Sequence, residues 1–282
     1  MDYNLNVKNL WLDYIKGESI MQNVPKHIFR EYDIRGLAQS ELSDENVTQI
    51  GQAYGTWLLS RGIDKATIGM DIRLSSPRIK TAAANGMRRA GVSVIDIGVC
   101  SSPTFYWSLY HFEVDGGIMV TGSHNPKEFN GLKIAFEKGT LWGDDIQEIH
   151  RIINDDKIVA AKVPGTVTDI PINEEYIDML VSKITLGERK PKVVCDSANG
   201  TGGLYAPEFL RRIGCNVVEL YSEPDENFPN HHPDPTKREN LVDLINCVIK
   251  EKADFGVGFD GDSDRIGVVD DKGEIIWGDR LM

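Results

Sequence analysis

Two short tracts of this sequence concentrate side chains that could transfer a phosphoryl group. Residues 121–126 read Thr-Gly-Ser-His-Asn-Pro and offer the hydroxyl of Ser123 beside the imidazole of His124. Residues 259–265 read Phe-Asp-Gly-Asp-Ser-Asp-Arg and offer carboxylates at alternate positions, followed by a guanidinium. A nucleophilic hydroxyl, hard-cation ligands and an arginine are the groups that phosphoryl transfer requires, because this chemistry depends on positioning and charge neutralisation.

The carboxylates of the second tract are candidate ligands for a divalent cation. They belong to Asp260, Asp262 and Asp264. Carboxylates so close together repel one another unless a cation compensates them, and their oxygens are the ligands that Mg²⁺ prefers. An EF-hand does not fit, because its sixth position would be Arg265 where glycine is required. The tract therefore predicts a Mg²⁺ site, with a solvated acidic turn as the alternative.

The other polar candidates each have a structural interpretation as well. Ser123 lies in a segment typical of turns, and no base is spaced to form a hydrolase triad around it. His124 can be a hydrogen-bonding loop residue instead of a base. Arg35 and Arg73 lie beside acidic residues, so they are either ion-pair partners or phosphate contacts. Lys133 begins an apolar strand and can be an edge lysine.

Both tracts lie at the ends of expected strands in an alternation of strands and helices. Ser43 is a suitable N-cap for one helix, and a second helix is expected over residues 76–89, between strands at 67–70 and 92–97. In open α/β sheets, ligand sites lie at the carboxyl ends of the strands. We therefore expect the two tracts to face one cleft.

The second half of the chain repeats the order of the first half. In each half a strand enters the chemical tract, and a hairpin containing Lys-Gly and ending in Trp follows. We therefore predict an internal duplication with α/β domains at residues 25–165 and 166–275. Residues 1–24 are expected to form an N-terminal extension, and residues 276–282 to begin a further, truncated domain.

Composition and charge narrow the possible function classes. The chain has 282 residues, of which 41% are hydrophobic and 26% charged, as is ordinary for a globular protein. The net charge of −12 argues against nucleic acid as the main partner, so an anionic substrate must be held by local cationic groups. No apolar run is long enough to span a membrane, and the N-terminus lacks an apolar signal core. The expected location is therefore the cytoplasm, with no membrane partner.

Five motifs occur in the same order as in a known enzyme family. They are residues 29–36 (Phe-Arg-Glu-Tyr-Asp-Ile-Arg-Gly), 121–126, 130–133 (Asn-Gly-Leu-Lys), 228–235 (Phe-Pro-Asn-His-His-Pro-Asp-Pro) and 260–265. Together they resemble the α-D-phosphohexomutases, and most closely the bacterial phosphomannomutase/phosphoglucomutase branch. The resemblance covers nearly everything from residue 25 onward. It implies two repeated α/β/α domains with mixed sheets, the first two of the four domains that family members have.

The resemblance also implies an activity and a set of site residues. Members interconvert hexose 6-phosphate and hexose 1-phosphate, here of mannose or glucose, through a phosphoserine enzyme and a bisphosphate intermediate. The family pattern makes Ser123 the phosphorylated serine and implies one Mg²⁺ held by Ser123, Asp260, Asp262 and Asp264. Glucose or mannose 1,6-bisphosphate would serve as activator and intermediate. The catalytic or substrate-binding positions of the family correspond to Tyr32, Arg35, His124, Lys133 and Arg265.

Two departures from the family pattern are visible. Ser263 stands where glycine is usual, which raises the question of the backbone angles in the acidic loop. The sugar-recognition loop of the third domain and the phosphate-binding loop of the fourth domain have no counterpart in these residues. The chain is therefore expected to be an incomplete mutase, inactive alone, whose partner is the missing C-terminal half.

Three alternative functions remain open at this level. An aspartyl-nucleophile phosphatase would use the Asp-x-Asp pattern that begins at Asp260 and would leave Ser123 idle. A non-catalytic fragment or subunit would bind metal only. Phosphoglucosamine mutase would perform the same chemistry on another sugar.

Overall fold

The first half of the chain folds around one mixed sheet. The computed structural model describes residues 24–281, so the expected extension lies outside the described residues except for Val24. The strands of this sheet are β1 (Ile34–Leu37), β2 (Lys65–Met70), β3 (Ser93–Val99), β4 (Gly116–Val120), β5 (Phe129–Phe136), β6 (Gly139–Thr140) and β7 (Val167–Asp169). Their order is β1-β5-β4-β2-β3-β7, and β6 pairs with β5.

Helices cover both faces of this sheet. They are α1 (Asp44–Leu59), α2 (Ser76–Ala90), α3 (Ser102–His111) and α4 (Asp144–Asn154). The apolar faces of α1, α2 and α4 share one core, whereas α3 packs in a second core on the opposite face. The predicted start of α1 is confirmed, because the hydroxyl of Ser43 accepts a hydrogen bond from the backbone N–H of Asn46 at 3.2 Å.

The second half builds a smaller sheet of the same kind. Its strands are β8 (Lys192–Asp196), β9 (Asn216–Leu220), β10 (Phe255–Phe259), β11 (Ile266–Asp270) and β12 (Ile275–Ile276), in the order β12-β11-β10-β8-β9. Helices α5 (Asn173–Lys183) and α6 (Ala206–Arg212) contribute to the core on one face, and α7 (Val242–Glu251) packs on the other. A short helix, α8 (Gly278–Leu281), follows β12.

The two sheets share one topology. In the first sheet, β2 is parallel to β3 and β4, and β4 is antiparallel to β5. In the second sheet, β8 is parallel to β9 and β10, and β10 is antiparallel to β11. The prediction of two repeated α/β/α units with mixed sheets is therefore confirmed. The repeat also places β4 and β10 at equivalent positions, each just before its chemical tract.

The edges of the sheets differ from the expected domain boundaries. Strand β7 pairs in parallel with β3, so the first sheet extends to Asp169 instead of ending at residue 165. The three residues of β7 are exposed, and therefore no apolar pattern marks them as part of the first sheet. Strand β12 extends the second sheet to Ile276, one residue beyond the expected limit of 275.

The two halves contact each other through helices α3 and α5. On α3, the ring of Trp107 lies 5.6 Å from the ring of Tyr176 on α5, measured between centroids. The two chemical tracts also meet directly, because the hydroxyl of Ser123 donates a hydrogen bond to Asp260 at 2.9 Å. Within residues 24–281, none of the helices combines the length and the apolar character needed to cross a membrane.

Candidate active site

The loop after β4 is held by one buried arginine. The guanidinium of Arg73 donates hydrogen bonds to the backbone carbonyls of Ser123 (2.8 Å), Asn125 (2.6 Å), Pro126 (2.8 Å) and Phe129 (3.0 Å). Ser123 has a φ of 48°, in the left-handed region that non-glycine residues rarely adopt. The carbonyl contacts offset the cost of this conformation and fix the direction of the serine side chain.

Carboxylate and glycine contacts complete the support of this loop. Asp71 forms an ion pair with Arg73 at 3.4 Å and accepts a hydrogen bond from the backbone N–H of Gly122 at 2.9 Å. A Cβ at Gly122 would lie 2.2 Å from Arg73 Nε, so no larger residue fits there. Arg35 pairs with Asp33 at 2.6 Å and donates to the carbonyl of Gly122, also at 2.6 Å. Both arginines therefore act at least partly as structural ion-pair partners, one of the two roles that the sequence left open.

The loop after β10 meets the serine directly. Asp260 Oδ1 accepts hydrogen bonds from the backbone N–H groups of Asp264 and Arg265, both at 3.0 Å. Its other oxygen, Oδ2, accepts a hydrogen bond from the hydroxyl of Ser123 at 2.9 Å. A Cβ at Gly261 would lie 2.6 Å from the carbonyl oxygen of Ser123, so glycine is needed for this close approach.

The two oxygens of Asp262 have different surroundings. Oδ2 accepts hydrogen bonds from Lys133 Nζ at 2.5 Å and from the hydroxyl of Ser102 at 2.7 Å. Oδ1 is buried and has no hydrogen-bond partner among the described residues. Lys133 Nζ also donates to Asp264 Oδ2 at 2.6 Å, so one ammonium group bridges two of the three aspartates.

Burial and charge push the pKa values of the aspartates apart. Burial, together with the charges of Asp262 and Asp264, raises the pKa of Asp260 to about 8. Burial would also raise the pKa of Asp262, but the charge and hydrogen bond of Lys133 hold that pKa well below its usual value. Burial would lower the pKa of Lys133, but the carboxylates of Asp262 and Asp264 raise it above its usual value. Asp262 is therefore ionised at neutral pH, and Asp260 retains a proton that a cation can displace.

A cavity of about 260 Å³ opens above these groups and has a cationic wall. Its lining residues are Arg30, Asp33, Arg35, Ser123, His124, Asn125, Lys133, Asp264 and Arg265. His124 Nδ1 lies 3.1 Å from Ser123 Oγ. Burial and the nearby charges of Arg265 and Arg35 lower the pKa of His124, so its imidazole is neutral near pH 7. The arrangement combines a hydroxyl, a neutral base, buried carboxylates and a cationic rim suited to phosphate groups.

Comparison with known proteins identifies the family. The model of the α/β/α domain I of phosphoglucomutase/phosphomannomutase matches residues 26–159, and that of domain II matches residues 174–273. This chain belongs to the phosphoglucomutase/phosphomannomutase family. The resemblance that the five motifs indicated is thereby confirmed.

Several members of the family are similar over most of this chain. A phosphomannomutase/phosphoglucomutase of Pseudomonas syringae is 40% identical over 264 residues, which cover 94% of this chain and 56% of that protein. A phosphoglucomutase of Neisseria gonorrhoeae is 40% identical over 93% of this chain and 57% of its own length. The crystal structure of a family protein from Burkholderia thailandensis matches with a TM-score of 0.86 and 38% identity, over 91% of this chain and 57% of that chain. This chain thus spans somewhat more than half the length of the relatives it matches.

The acidic cluster fits the Mg²⁺ that this family generally uses. Oxygens of Asp260, Asp262 and Asp264 lie within 4.8 Å of one another. The carboxylate donor set suits a hard cation, and the unpartnered Oδ1 of Asp262 is a buried oxygen that a cation would satisfy. These residues would hold the ion, with the hydroxyl of Ser123 bonded to one of them.

The structure brings together all but one of the residues that the family pattern implies. Five of them line the cavity, namely Arg35, Ser123, His124, Lys133 and Arg265, and Asp264, one of the three clustered aspartates, lines it as well. Tyr32 is the exception, because its side chain is 66% exposed and does not line the cavity. The functional roles of all these residues remain predictions.

Sequence reasoning missed two residues that the geometry draws attention to. Arg30 lines the cavity, and its place in the motif at residues 29–36 was the available signal. Ser102 reaches the acidic loop from the start of α3, and no local pattern connects it with a residue 160 positions further along the chain.

The structure also answers the question raised by Ser263. This residue has a φ of 63°, the left-handed conformation that glycine adopts without strain. Its hydroxyl lies 3.0 Å from the hydroxyl of Thr201, in a hydrogen bond that glycine could not make. The acidic loop therefore keeps the glycine-like backbone, and a side-chain contact offsets part of the strain.

Proposed function

We propose that this chain forms the phosphoserine- and cation-binding part of a phosphohexomutase that interconverts hexose 6-phosphate and hexose 1-phosphate. The observation that carries the proposal is the hydrogen bond of 2.9 Å between Ser123 Oγ and Asp260 Oδ2, on the floor of a cavity with a cationic wall. The names of the relatives support mannose and glucose as the sugars.

The reaction is a pair of phosphoryl transfers through Ser123. In the first transfer, the bond between phosphorus and Ser123 Oγ breaks while a free hydroxyl of the hexose phosphate bonds to the phosphorus and gives its proton to water, which yields a hexose 1,6-bisphosphate. After the bisphosphate turns over in the cleft, the serine attacks its other phosphoryl group, the bond between that phosphorus and the sugar oxygen breaks, and this oxygen takes a proton from water as the isomeric monophosphate leaves. Glucose or mannose 1,6-bisphosphate is accordingly both the intermediate and the activator that phosphorylates an unmodified chain.

The residues around Ser123 have distinct roles in these steps. The neutral imidazole of His124 takes the proton of Ser123 Oγ when the serine attacks and returns it when the serine leaves. The ammonium of Lys133 and the guanidinium groups of Arg35 and Arg265 neutralise the phosphates. Tyr32 lies outside the cavity, so its role in substrate binding rests on the family resemblance. When bound, one Mg²⁺ per chain supplies positive charge to the oxygens of the transferring group.

A labelling experiment tests the nucleophile. With the remaining domains of a relative supplied as a separate polypeptide, we expect the chain to take up radiolabelled phosphate from glucose 1,6-bisphosphate on Ser123, and Ser123→Ala to take up none while melting near the wild-type temperature. The matched control is Ser108→Ala, which removes a buried hydroxyl that bonds to Thr67 and to its own helix. Label retained in Ser123→Ala would overturn the serine assignment.

The same experiment separates the mutase from the aspartyl-nucleophile phosphatase. Asp260 is a poor nucleophile because both of its oxygens accept hydrogen bonds and its side chain is fully buried. We therefore expect the label to survive treatment with hydroxylamine, which cleaves acyl phosphates but not phosphoserine. Release of the label by hydroxylamine would favour the phosphatase.

A further inference from the structure

Ser102 contacts the acidic loop from the other half of the molecule. It is the first residue of α3, is fully buried, and donates its hydroxyl proton to Asp262 Oδ2 at 2.7 Å. Lys133 Nζ lies 3.2 Å from the same hydroxyl oxygen. The hydroxyl of Ser102 therefore accepts one hydrogen bond from the ammonium group of Lys133 and donates another to the carboxylate of Asp262.

The backbone of Ser102 makes a second contact with the same residue. Its N–H donates to the carbonyl oxygen of Asp262 at 2.9 Å. This N–H is one of the donors that every helix leaves unsatisfied in its first turn. The preceding Ser101 caps the helix by accepting from the backbone N–H of Thr104 at 3.2 Å, so the hydroxyl of Ser102 is not needed as a cap. Ser102 thus forms hydrogen bonds with both the main chain and the side chain of Asp262.

The hydrogen bonds from Ser102 determine which carboxylate oxygen of Asp262 is left free to bind a cation. With Oδ2 engaged by Ser102 and Lys133, the carboxylate is turned so that Oδ1 has no partner among the described residues. A buried carboxylate oxygen without a hydrogen-bond partner is costly, and a bound cation would remove that cost. Without the hydroxyl of Ser102, the carboxylate is held on one side only by Lys133, a long side chain that also bonds to Asp264.

We propose that Ser102 is a positioning residue for the cation site, which fixes the carboxylate of Asp262 so that Oδ1 is presented to Mg²⁺. The inference rests on the proposed function, because it assumes that the three aspartates bind this ion. Partners that orient a metal ligand typically change metal affinity by about 10- to 100-fold. Helix α3 packs on the first sheet, whereas Asp262 lies in the loop after β10 of the second sheet. Ser102 therefore also makes the cation site depend on the contact between the two halves.

Calorimetric titration of the whole chain with Mg²⁺ tests this role. We expect Ser102→Ala to raise the dissociation constant for Mg²⁺ by about 10-fold or more, and Ser102→Thr, which keeps the hydroxyl, to restore wild-type affinity. The control is Ser108→Ala on the same helix, which loses a buried hydroxyl of equal size outside the acidic loop. We expect this control to lower the melting temperature without changing the affinity.

The outcomes distinguish the inference from the function on which it rests. Equal Mg²⁺ affinity in wild type and folded Ser102→Ala overturns the role of Ser102 and leaves the cation site intact. Equal weakening by Ser102→Ala and Ser108→Ala also overturns it, because the loss would then reflect general destabilisation. If the wild type itself binds no Mg²⁺, the proposed cation site fails together with the inference. If Ser102→Ala does not fold, Ser102→Cys, with a weaker donor of similar size, replaces it in the same comparison.

Discussion

Asp260 and Asp262 are separated by a single glycine, yet their carboxyl groups have opposite electrostatic environments. Asp262 is neutralised by Lys133, whereas Asp260 has hydrogen-bond donors but no cationic side chain in contact within residues 24–281. The pKa of Asp260 is therefore raised to about 8, while that of Asp262 is lowered. The raised pKa of Asp260 favours its protonated form, which reduces repulsion within the cluster, and we expect binding of Mg²⁺ by all three side chains to release a proton below about pH 8.

Ser263 provides a test of backbone strain in the acidic loop. Replacement by alanine removes the hydrogen bond to Thr201 but keeps the left-handed backbone, so we expect a loss of about 1–2 kcal/mol in the free energy of unfolding. Replacement by glycine removes the same bond but relieves the strain, so we expect a smaller loss. Chemical denaturation without Mg²⁺ measures both changes.

A helical serine gives the matched comparison for Ser263. Ser182 is exposed in the last turn of α5, where glycine is expected to be worse than alanine by less than the roughly 1 kcal/mol typical of helix interiors. We therefore expect glycine to be less destabilising than alanine at position 263 and more destabilising than alanine at position 182. Alanine tolerated better than glycine at Ser263 would contradict the strain argument.

The site residues differ in how far the sequence could predict them. Ser123 and the three aspartates were recognisable because each group lies within a few residues of the chain and carries its own chemistry. The loop-holding role of Arg73 was only one of two alternatives, because an arginine in a loop can equally well bind phosphate. The contact between Ser102 and Asp262 was not predictable, because it is made by tertiary folding across the two halves.

At the scale of elements, the segment between β9 and α7 is attached to the second sheet by an ion pair and by hydrogen bonds. Its residue His231 lies 3.0 Å from Asp196 at the end of β8, and the rings of His231 and Tyr221 are 5.4 Å apart. Asn230 in the same segment donates to Asn199 at 2.7 Å. This segment also carries Asp234, whose charge faces the imidazole of His124. The attachment of this segment therefore affects where the charge of Asp234 lies relative to His124.

The ion pair between His231 and Asp196 predicts how the free energy of unfolding depends on pH. Burial alone would lower the pKa of His231, but the hydrogen bond and charge of Asp196 raise it above the usual 6.5. Because the pKa is higher in the folded state, the pair stabilises fully below about pH 6.5 and its contribution is lost as pH rises through the folded-state pKa. We expect the free energy of unfolding to fall over this window in the wild type, and to fall less in His231→Gln.

Urea denaturation at several pH values, followed by tryptophan fluorescence, measures this difference. The neighbouring His232 is exposed, so His232→Gln is the control and should keep the wild-type pH dependence. Identical pH profiles for wild type and His231→Gln would show that the pair contributes nothing to stability.

Elements were predictable where local patterns were strong. The start of α1 carries its own capping residue, and the strands before the two chemical tracts are continuous apolar runs. Strand β7 was missed because its residues are exposed and its only reason to be extended is the free edge of β3. An edge of this kind is a property of the folded sheet and leaves no signature in the three residues that cover it.

At the scale of the whole molecule, we expect the 282-residue chain alone to bind Mg²⁺ but not to convert mannose 6-phosphate steadily to mannose 1-phosphate. By the family resemblance, the distal phosphate and the sugar hydroxyls are held by domains that this chain does not match. Such positioning can account for about 7–11 kcal/mol of a barrier. A coupled assay, with and without the remaining domains of a relative as a separate polypeptide, measures the turnover. Family-like turnover by the chain alone would contradict this expectation.

The hydrogen bond between Ser123 and Asp260 has a mechanical consequence. The two residues are attached to different sheets, so the 2.9 Å between their oxygens is set by the relative orientation of two rigid bodies. A hinge rotation of a few degrees would be amplified along each sheet and would separate the hydroxyl from the carboxylates by more than a hydrogen bond can bridge. In the proposed mechanism, opening the cleft would therefore separate a phosphorylated Ser123 from the aspartates proposed to hold Mg²⁺. The phosphoserine would then lack the positive charge that promotes transfer, and its hydrolysis by incoming water would be slower.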